Sequence, residues 1–198
     1  MAKGRYIVMM LVSLLIILSF ISGCVEQTNT DDEKTEEPNV LLTVLSNDYQ
    51  SNYTLEELES LESYTGTGRY IKTKLLNDSI VISDSIEYTG IRMTTLLDEI
   101  PNLADNYTVS VMSEDGWILN FTKNQTLGYV DVYNETADIL PSETAVMLLA
   151  YKEDGLYYSE IDPDHETGPL RLAFVDDEVI TSSNLWSKMV VSISIIPE

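Results

Sequence analysis

Ala145-Val146-Met147-Leu148-Leu149-Ala150-Tyr151 is a strongly apolar run, and the acidic turn sequence Glu153-Asp154-Gly155 follows it closely. A short apolar run that ends at a turn signal is typical of a β-strand. We therefore predict a strand over residues 145–151 that pairs, through this turn, with a second strand over residues 156–161. The sequence thus predicts an apolar β-hairpin in the second half of the chain.

A second predicted hairpin lies earlier in the chain. Residues 107–112 alternate between apolar and polar side chains, as in a half-buried strand, and residues 117–122 return as its partner after a tight turn. Residues 170–175 and 189–196 are the last two predicted strands, and a loop with up to one helical turn separates them. Most of the globular part is therefore predicted to be a sheet.

Two short helices are predicted among the early strands. Thr54-Leu55-Glu56-Glu57 has the form of a capping box and begins the first helix, and the second covers residues 94–100. Strands are predicted over residues 40–46, within 63–74 after a glycine turn, and over 79–83. This order predicts an α+β domain with a mixed or antiparallel sheet and a few short helices.

Five motifs resemble, in order and spacing, the oxidoreductase molybdopterin-binding domain of the sulfite oxidase type. They are Tyr88-Thr89-Gly90-Ile91 with Leu96-Leu97, Val109-Ser110-Val111 running to Asp115-Gly116-Trp117, Met147-Leu148-Leu149-Ala150-Tyr151, Gly168-Pro169-Leu170-Arg171-Leu172, and Trp186-Ser187-Lys188. The resemblance covers most of residues 41–196, and Gly-Pro-Leu-Arg is its most specific part. The resemblance implies that this chain is a degenerate member of that family and has its fold.

The resemblance also implies a cofactor groove. In molybdenum-binding members a cysteine of the early loop ligates the metal and basic residues hold the pterin phosphate, but residues 63–88 contain no cysteine. Oxygen and cationic groups do not replace a soft thiolate. No cofactor is therefore predicted, and molybdopterin is implied by the resemblance alone.

Five residues are candidates for ligand binding in this groove. His165 and Arg171 match the basic positions of the family approximately, with one extra residue between His165 and the glycine, and Lys188 matches a basic residue after the last loop. Arg69 and Tyr70 come from the early loop. Arg171 is interpreted as an anion clamp or, alternatively, as a structural ion-pair partner. No catalytic residue is assigned.

The first residues have the three-part plan of an export signal. Lys3 and Arg5 are basic, residues 6–21 are mostly apolar, and Ile21-Ser22-Gly23-Cys24 looks like a lipobox. We predict a signal peptide over residues 1–23, cleavage, and lipidation of the only cysteine. The alternative is an uncleaved membrane anchor. Both place the protein at the external face of the cell membrane.

An acidic linker, residues 24–39, is predicted to precede one domain, residues 40–198. The linker has too few apolar side chains to offset the entropy of ordering. The whole chain has 33 Asp plus Glu against 11 Lys plus Arg, a formal net charge of -22. Nucleic acid and anionic lipid headgroups are therefore not expected as direct partners. The alternatives are cation attraction, a high-salt habitat, or a charged surface that provides solubility.

Asparagine sequons are more frequent than composition predicts, which suggests an N-glycosylated exported protein. The candidates are Asn52, Asn77, Asn106, Asn120, Asn124 and Asn134. Asn120 falls in a predicted strand, where steric blockage is one interpretation. The combination of a lipobox, many sequons and high acidity is similar to that of archaeal cell-surface lipoproteins.

Other kinds of site have weaker signals. A single histidine excludes a multi-histidine metal site. Asp162, Asp164 and Glu166 alternate like the start of a calcium loop, but Ala173 occupies the twelfth position, which excludes an EF-hand and leaves a looser calcium site or a solvated turn. The many tyrosines and two tryptophans allow carbohydrate stacking, with core packing as the alternative.

These observations favour a lipid-anchored, extracytoplasmic binding or interaction module derived from an oxidoreductase domain. Its partner would be a small ligand or a cell-surface protein, reached from the membrane through the lipid anchor. Two alternatives stay open: a molybdopterin-dependent oxidoreductase or its accessory subunit, and a structural glycoprotein of the cell envelope.

Overall fold

The structure, a computed structural model, describes residues 39–47, 49–73, 79–164 and 167–198. Two β-sheets make up most of this part of the chain, with four short α-helices. No helix within these ranges is long and apolar enough to cross a membrane. The predicted signal peptide, the predicted linker up to residue 38, and the candidates Cys24, Asn77, His165 and Glu166 lie outside the described residues.

The elements are numbered in chain order. The strands are β1 (Leu42–Ser46), β2 (Tyr49–Tyr53), β3 (Ser63–Thr73), β4 (Ile80–Ile82), β5 (Ile86–Arg92), β6 (Tyr107–Ser113), β7 (Ile118–Thr122), β8 (Val132–Tyr133), β9 (Val146–Glu153), β10 (Leu156–Tyr157), β11 (Arg171–Val175), β12 (Val179–Ser182) and β13 (Val190–Pro197). The helices are α1 (Leu55–Ser60), α2 (Met93–Asp98), α3 (Lys123–Thr126), α4 (Tyr158–Ile161) and a 3-10 turn at Ser183–Leu185.

The smaller sheet has five strands in the order β2-β1-β13-β6-β7. β1 runs parallel to β13, with Thr43 opposite Ser192, and the other neighbours are antiparallel. Successive side chains of a strand point to opposite faces. In β6, for example, Val109 and Val111 are buried while Met112 is exposed. One face of this sheet therefore packs on the core and the other faces outward.

The larger sheet has eight strands, and its central path is β10-β9-β5-β3-β12-β8. β11 also pairs with β9, and β4 pairs with β3. The pairing of β3 with β12 is parallel and the others are antiparallel. All five residues of β11 are buried. The larger sheet is thus of the mixed type that the sequence predicts.

Close backbone packing in the larger sheet requires Gly90. A Cβ atom at this position would lie 2.1 Å from the carbonyl oxygen of Leu149 in the neighbouring strand β9. The pairing of β5 with β9 also shifts register between Thr89 and Gly90. Any side chain at residue 90 would therefore push β5 and β9 apart.

A single hydrophobic cluster contains residues of both sheets. The rings of Phe121 in β7 and Phe174 in β11 lie 5.9 Å apart between centroids. Leu148, Leu149, Leu172 and Phe174 are fully buried. The core therefore connects the inner face of the smaller sheet to strands of the larger one.

The main predicted elements are present. The hairpin of β6 and β7 forms as predicted, and so does the pairing of β9 with β10. The capping box of α1 is also confirmed: the Glu57 backbone N–H donates to Thr54 Oγ1 at 3.3 Å, and the Thr54 N–H donates to Glu57 Oε2 at 2.8 Å.

Some predicted elements were wrong in type or were missed. The strand predicted over residues 156–161 ends at Tyr157, and α4 follows, because Glu160 Oε2 accepts a hydrogen bond from the Tyr157 N–H at 2.9 Å and starts a helical turn. Strands β2, β8 and β12 and helix α3 were not predicted. No strand was predicted for β5 either, whose residues 88–91 were noted only as part of a motif.

Candidate functional site

A cavity of about 160 Å³ lies beside the start of β11. It is lined by Tyr70, Arg171, Ser183, Trp186, Ser187 and Lys188. Tyr70 comes from β3, Arg171 is the first residue of β11, and the other four lie between the 3-10 turn and β13. The structure thus brings together three of the predicted ligand-binding residues, which are far apart in sequence.

The segment Gly168-Pro169-Leu170 places Arg171 at this cavity. Gly168 has φ +68°, and a Cβ there would lie 2.6 Å from Met189 Cα. The turn is held against the start of β13, because the Met189 N–H donates to Thr167 O at 3.0 Å and the Val190 N–H donates to Leu170 O at 3.0 Å. Only glycine suits this backbone conformation and this close approach. The same contacts keep Lys188, which directly precedes Met189, beside the cavity.

The Arg171 guanidinium is enclosed on several sides. Its side chain is 11% exposed, and Nη1 donates to Glu153 Oε2 at 3.2 Å. The guanidinium carbon lies 5.5 Å from the ring centroids of both Tyr88 and Trp186, within cation–π range. Nε, however, is buried, and none of the residues that the structure describes forms a hydrogen bond with it. A buried donor without a partner costs free energy, so Nε favours an added acceptor.

Trp186 forms an aromatic wall of the cavity. Its indole N–H donates to Thr181 Oγ1 at 2.8 Å, and both groups are buried. The Tyr70 and Tyr88 rings each lie 5.5 Å from it, in tilted and edge arrangements. These contacts fix the indole in one orientation, so the wall is formed before any ligand enters.

Two tyrosine hydroxyls near Arg171 stay protonated at neutral pH. Burial raises the pKa of Tyr88 and of Tyr158 well above the ordinary 10.0; the Arg171 charge acts against this rise, and the Glu153 carboxylate adds to it. The Tyr158 hydroxyl is buried without a hydrogen-bond partner of normal geometry. Two polar atoms therefore remain unsatisfied around Arg171, Nε and this hydroxyl.

Arg69 does not share the cavity with Tyr70. Neighbouring residues of a strand point to opposite faces, so the two side chains diverge. Arg69 Nε donates to Ser83 O at 3.0 Å, and Nη1 forms an ion pair with Glu135. The structure thus gives Arg69 a pairing role on the other face of β3.

The loop that leads to Gly168 is closed by Asp162. Its carboxylate accepts from the Thr167 N–H at 2.6 Å and from Thr167 Oγ1 at 2.8 Å. Among the described residues no group of three or more His, Cys, Asp or Glu side chains is arranged to hold a metal ion. His165 and Glu166, within this loop, lie outside the described residues.

Sequence reasoning missed several residues of the site. Glu153 was assigned to a turn, yet it is the carboxylate that pairs with Arg171. Trp186 was quoted as part of a motif without a role, although it lines the cavity. Trp186 could have been identified from its place two residues before the candidate Lys188. No signal in the sequence identifies Glu153, because it meets Arg171 only through the long-range pairing of β9 with β11.

The residues at the cavity do not fit a molybdenum–pterin cofactor. The lining side chains offer nitrogen, oxygen and aromatic groups, and the only cysteine of the chain is Cys24. In the sulfite oxidase-type domains that the sequence resembles, molybdenum is ligated by a soft thiolate, for which such groups do not substitute. The volume of about 160 Å³ is also below the roughly 300–1,000 Å³ of most cofactor sites.

No family model matches the chain, and no curated protein matches its sequence. Among solved structures, the chain is similar to the crystal structure of the sulfane dehydrogenase SoxCD from Paracoccus pantotrophus, with a TM-score of 0.54 and 16% sequence identity. The match covers 79% of this chain and 38% of that chain. At this identity the similarity concerns the fold alone. It supports the predicted α+β, β-rich fold and agrees, at the level of fold, with the resemblance to the sulfite oxidase-type domain.

Proposed function

We propose that this protein is a lipid-anchored binding module at the external face of the cell membrane, and that its cavity beside Arg171 takes a small anionic ligand. The observation that carries this proposal is that Arg171 lines the cavity while its buried Nε has no hydrogen-bond partner among the described residues. A carboxylate or oxyanion supplies the acceptor that this nitrogen lacks. Nothing in the proposal requires catalysis.

Charge supports an anion. Arg171 and Lys188 are the two charged side chains that line the cavity, in a chain whose formal net charge is -22. Glu153 balances Arg171, so Lys188 leaves an excess positive charge next to the cavity. The hydroxyl of Ser183 adds a group that donates to a bound oxygen, whereas the Ser187 hydroxyl already contacts Ser113 Oγ at 2.6 Å. An anion there is favoured by charge-assisted hydrogen bonds.

Size restricts the ligand to a few heavy atoms. About 160 Å³ is much more than one water needs, roughly 10–15 Å³, and less than a typical drug-sized ligand occupies. The aromatic wall of Tyr70 and Trp186 suits the apolar part of such a molecule. A short-chain carboxylate would fit this volume, with its charged end at Arg171 and its apolar end against the rings of Tyr70 and Trp186.

The binding test uses Trp186 as a reporter. The chain has two tryptophans, and Trp117 is 61% exposed and lies outside the cavity lining, so Trp117→Phe leaves Trp186 as the only indole. Fluorescence of this variant is titrated with acetate, butyrate, sulfate and phosphate, in parallel with calorimetry. We expect saturable binding of at least one of these anions.

Matched lysine variants check the location of binding. Lys188→Gln removes an exposed cation at the cavity, and Lys72→Gln removes an exposed lysine that does not line it. We expect about tenfold weaker binding for the first variant only, which corresponds to about 1.4 kcal/mol. No saturable change with any anion, or an equal loss in both variants, contradicts the proposed ligand class.

The anchoring part of the proposal rests on the leader and Cys24. Cys24→Ser is expected to abolish lipid attachment and leave the precursor unprocessed, and the mass of the mature N-terminal peptide measures both. Metal analysis and pterin fluorescence of protein from the native host address the oxidoreductase alternative. Stoichiometric molybdenum or tungsten with a pterin would replace the binding-module proposal.

A further inference from the structure

The outer face of the five-stranded sheet carries no charged side chain among its described strand residues; at its rim, Glu198, which follows β13, accepts a hydrogen bond from Thr108 Oγ1 at 2.8 Å. The residues that pairing places on this face are Thr43, Leu45, Gln50, Asn52, Thr108, Ser110, Met112, Ile118, Asn120, Thr122, Ser192, Ser194 and Ile196. The chain has 33 Asp plus Glu residues in 198, so an uncharged sheet face is an exception to its composition. Met112, Ile118 and Ile196 on this face are 38%, 51% and 51% exposed.

Both edge strands of this sheet lack the usual protection. β2 reads Tyr-Gln-Ser-Asn-Tyr and β7 reads Ile-Leu-Asn-Phe-Thr, without a charge or a proline. Exposed edges of this kind pair readily with other chains unless charges, proline, bulges or a covering group prevent it. Each edge strand contains one sequon asparagine, Asn52 in β2 and Asn120 in β7, and both side chains are exposed.

These sequons share a pattern that directs them outward. In Asn52-Tyr53-Thr54, Asn106-Tyr107-Thr108 and Asn120-Phe121-Thr122 the middle residue is aromatic and belongs to the core, being 9%, 5% and 1% exposed in turn. Successive residues of a strand point to opposite faces. A buried aromatic ring at the middle position therefore turns the asparagine before it toward solvent. Asn106 is exposed and directly precedes β6.

Two other sequons differ from this pattern. Asn134 is half-buried in a turn, where its Oδ1 accepts from the Thr136 N–H at 2.9 Å and from the Asp138 N–H at 2.8 Å. Its Nδ2 donates to Asp138 Oδ2 at 3.4 Å. Asn124 is exposed on α3, but its sequon residue Thr126 is 2% exposed. Asn134 is therefore the natural comparison, since its Nδ2, the atom that is glycosylated, is already engaged, whereas Asn52 is engaged only through Oδ1, which accepts from Thr43 Oγ1 at 3.0 Å.

We propose that N-linked glycans on Asn52 and Asn120, with a third on Asn106, cover the uncharged outer face and both edges of the five-stranded sheet. The donor is a lipid-linked oligosaccharide phosphate, used by a transferase outside the cytoplasm. The asparagine Nδ2 forms a C–N bond to the anomeric carbon, and the C–O bond to the phosphate breaks with its electron pair. The amide loses one proton to a base of the transferase.

This proposal rests on the export that the proposed function includes, and the test separates the two. The full chain is purified from its native host, digested, and mapped by mass spectrometry of intact glycopeptides and of the Cys24 lipopeptide. Asn52→Gln, Asn120→Gln and Asn134→Gln variants are compared by intact mass. We expect each of the first two to lose the mass of one glycan and the third to lose none.

Occupancy of Asn52 and Asn120 above that of Asn134 supports the proposal. Unmodified Asn52 and Asn120 in protein whose Cys24 carries lipid overturn it and leave export intact. Glycan on only one of the two edge strands, or equal occupancy at Asn134, also overturns it. Unmodified sequons together with an unprocessed leader overturn both this proposal and the anchoring part of the proposed function.

Discussion

The cavity beside Arg171 and the outer face of the five-stranded sheet are opposite in polarity. At the cavity a cation is buried between two aromatic rings and a carboxylate, and one of its nitrogens has no partner. On the sheet face about half of the side chains are open to solvent and none of the described strand residues is charged. In a chain this acidic, both regions are exceptions to the overall charge pattern, and both are for this reason sites to test.

The largest expected effect concerns glycine positions in the two sheets. Gly90→Ala places a Cβ 2.1 Å from the backbone oxygen of Leu149, so we expect a loss of about 3 kcal/mol or more, or failure to fold. Gly116, in the hairpin of the smaller sheet, has φ +83° but open space around it. Gly116→Ala is expected to cost about 1–2 kcal/mol. Chemical denaturation measures both.

Equal losses in these two variants would show that backbone conformation, and not the contact between β5 and β9, governs the role of Gly90. A Gly90→Ala protein as stable as the parent would contradict the close approach itself.

The next effect comes from the buried charge. Glu153→Ala leaves the Arg171 guanidinium without its carboxylate in a site where its side chain is 11% exposed. Removing one partner of a buried pair costs about 3–5 kcal/mol, and the partial exposure of Glu153 reduces this to about 3 kcal/mol. The double variant Glu153→Gln with Arg171→Met, which removes both charges of the pair and keeps the side-chain volumes, is expected to stay within about 1 kcal/mol of the parent.

Unfolding free energies of the two variants give the contrast directly. If the double variant costs as much as Glu153→Ala, the pair is needed for the fold itself, and the cavity loses its main claim to a ligand. Loss of anion binding in a stable double variant strengthens that claim.

Alkaline pH is expected to weaken the fold through its buried tyrosines. Burial raises the pKa of Tyr53 to about 12, with a further contribution from its hydrogen bond with Tyr49, and burial also raises the pKa values of Tyr88 and Tyr158. The folded state therefore holds these protons more tightly than the unfolded state. Stability is complete below pH 10.0, the ordinary tyrosine value, and falls as the pH rises above it.

For Tyr53 we expect a loss of about 2–3 kcal/mol once the pH passes its raised pKa of about 12. Denaturation curves at increasing alkaline pH, with tyrosinate absorbance followed in parallel, measure this loss. Tyr158→Phe tests whether the loss arises at α4, next to the larger sheet, and Tyr53→Phe tests whether it arises in the smaller sheet. A stability that does not change above pH 10.0 contradicts the burial of both.

The smallest expected effect concerns the helix caps next to the smaller sheet. Thr54→Ala and Thr122→Ala each remove one capping box, of α1 and of α3. Loss of such a cap costs about 1 kcal/mol. Both residues also complete sequons, so the variants are made in a host without N-glycosylation and compared by denaturation. Ser194→Ala on the uncharged face is the control and should change stability by less than about 0.5 kcal/mol.

The sequence predicted what depends on local pattern. Alternation identified β6 and β7, and the spacing of Thr54 and Glu57 identified the start of α1, because these signals lie within a few residues. The candidates Tyr70, Arg171 and Lys188 were named from a resemblance, and the structure places them at one cavity.

Long-range partners could not be predicted in the same way. Glu153 pairs with Arg171 only because β9 and β11 are neighbours in the larger sheet, and the separation of Arg69 from Tyr70 depends on which face of β3 is covered. The uncharged face is also invisible in the linear sequence, since its residues come from five strands and acidic residues lie between them.

The parallel pairing of β1 with β13 has a consequence for how the protein is made. These strands lie at opposite ends of the folded domain's sequence, with Thr43 opposite Ser192. During synthesis, β1 has to wait for nearly all of the domain to emerge before its central neighbour exists. Such non-local topology slows folding. The nascent domain therefore spends time with an open apolar seam until β13 docks, and in that interval it is prone to aggregate.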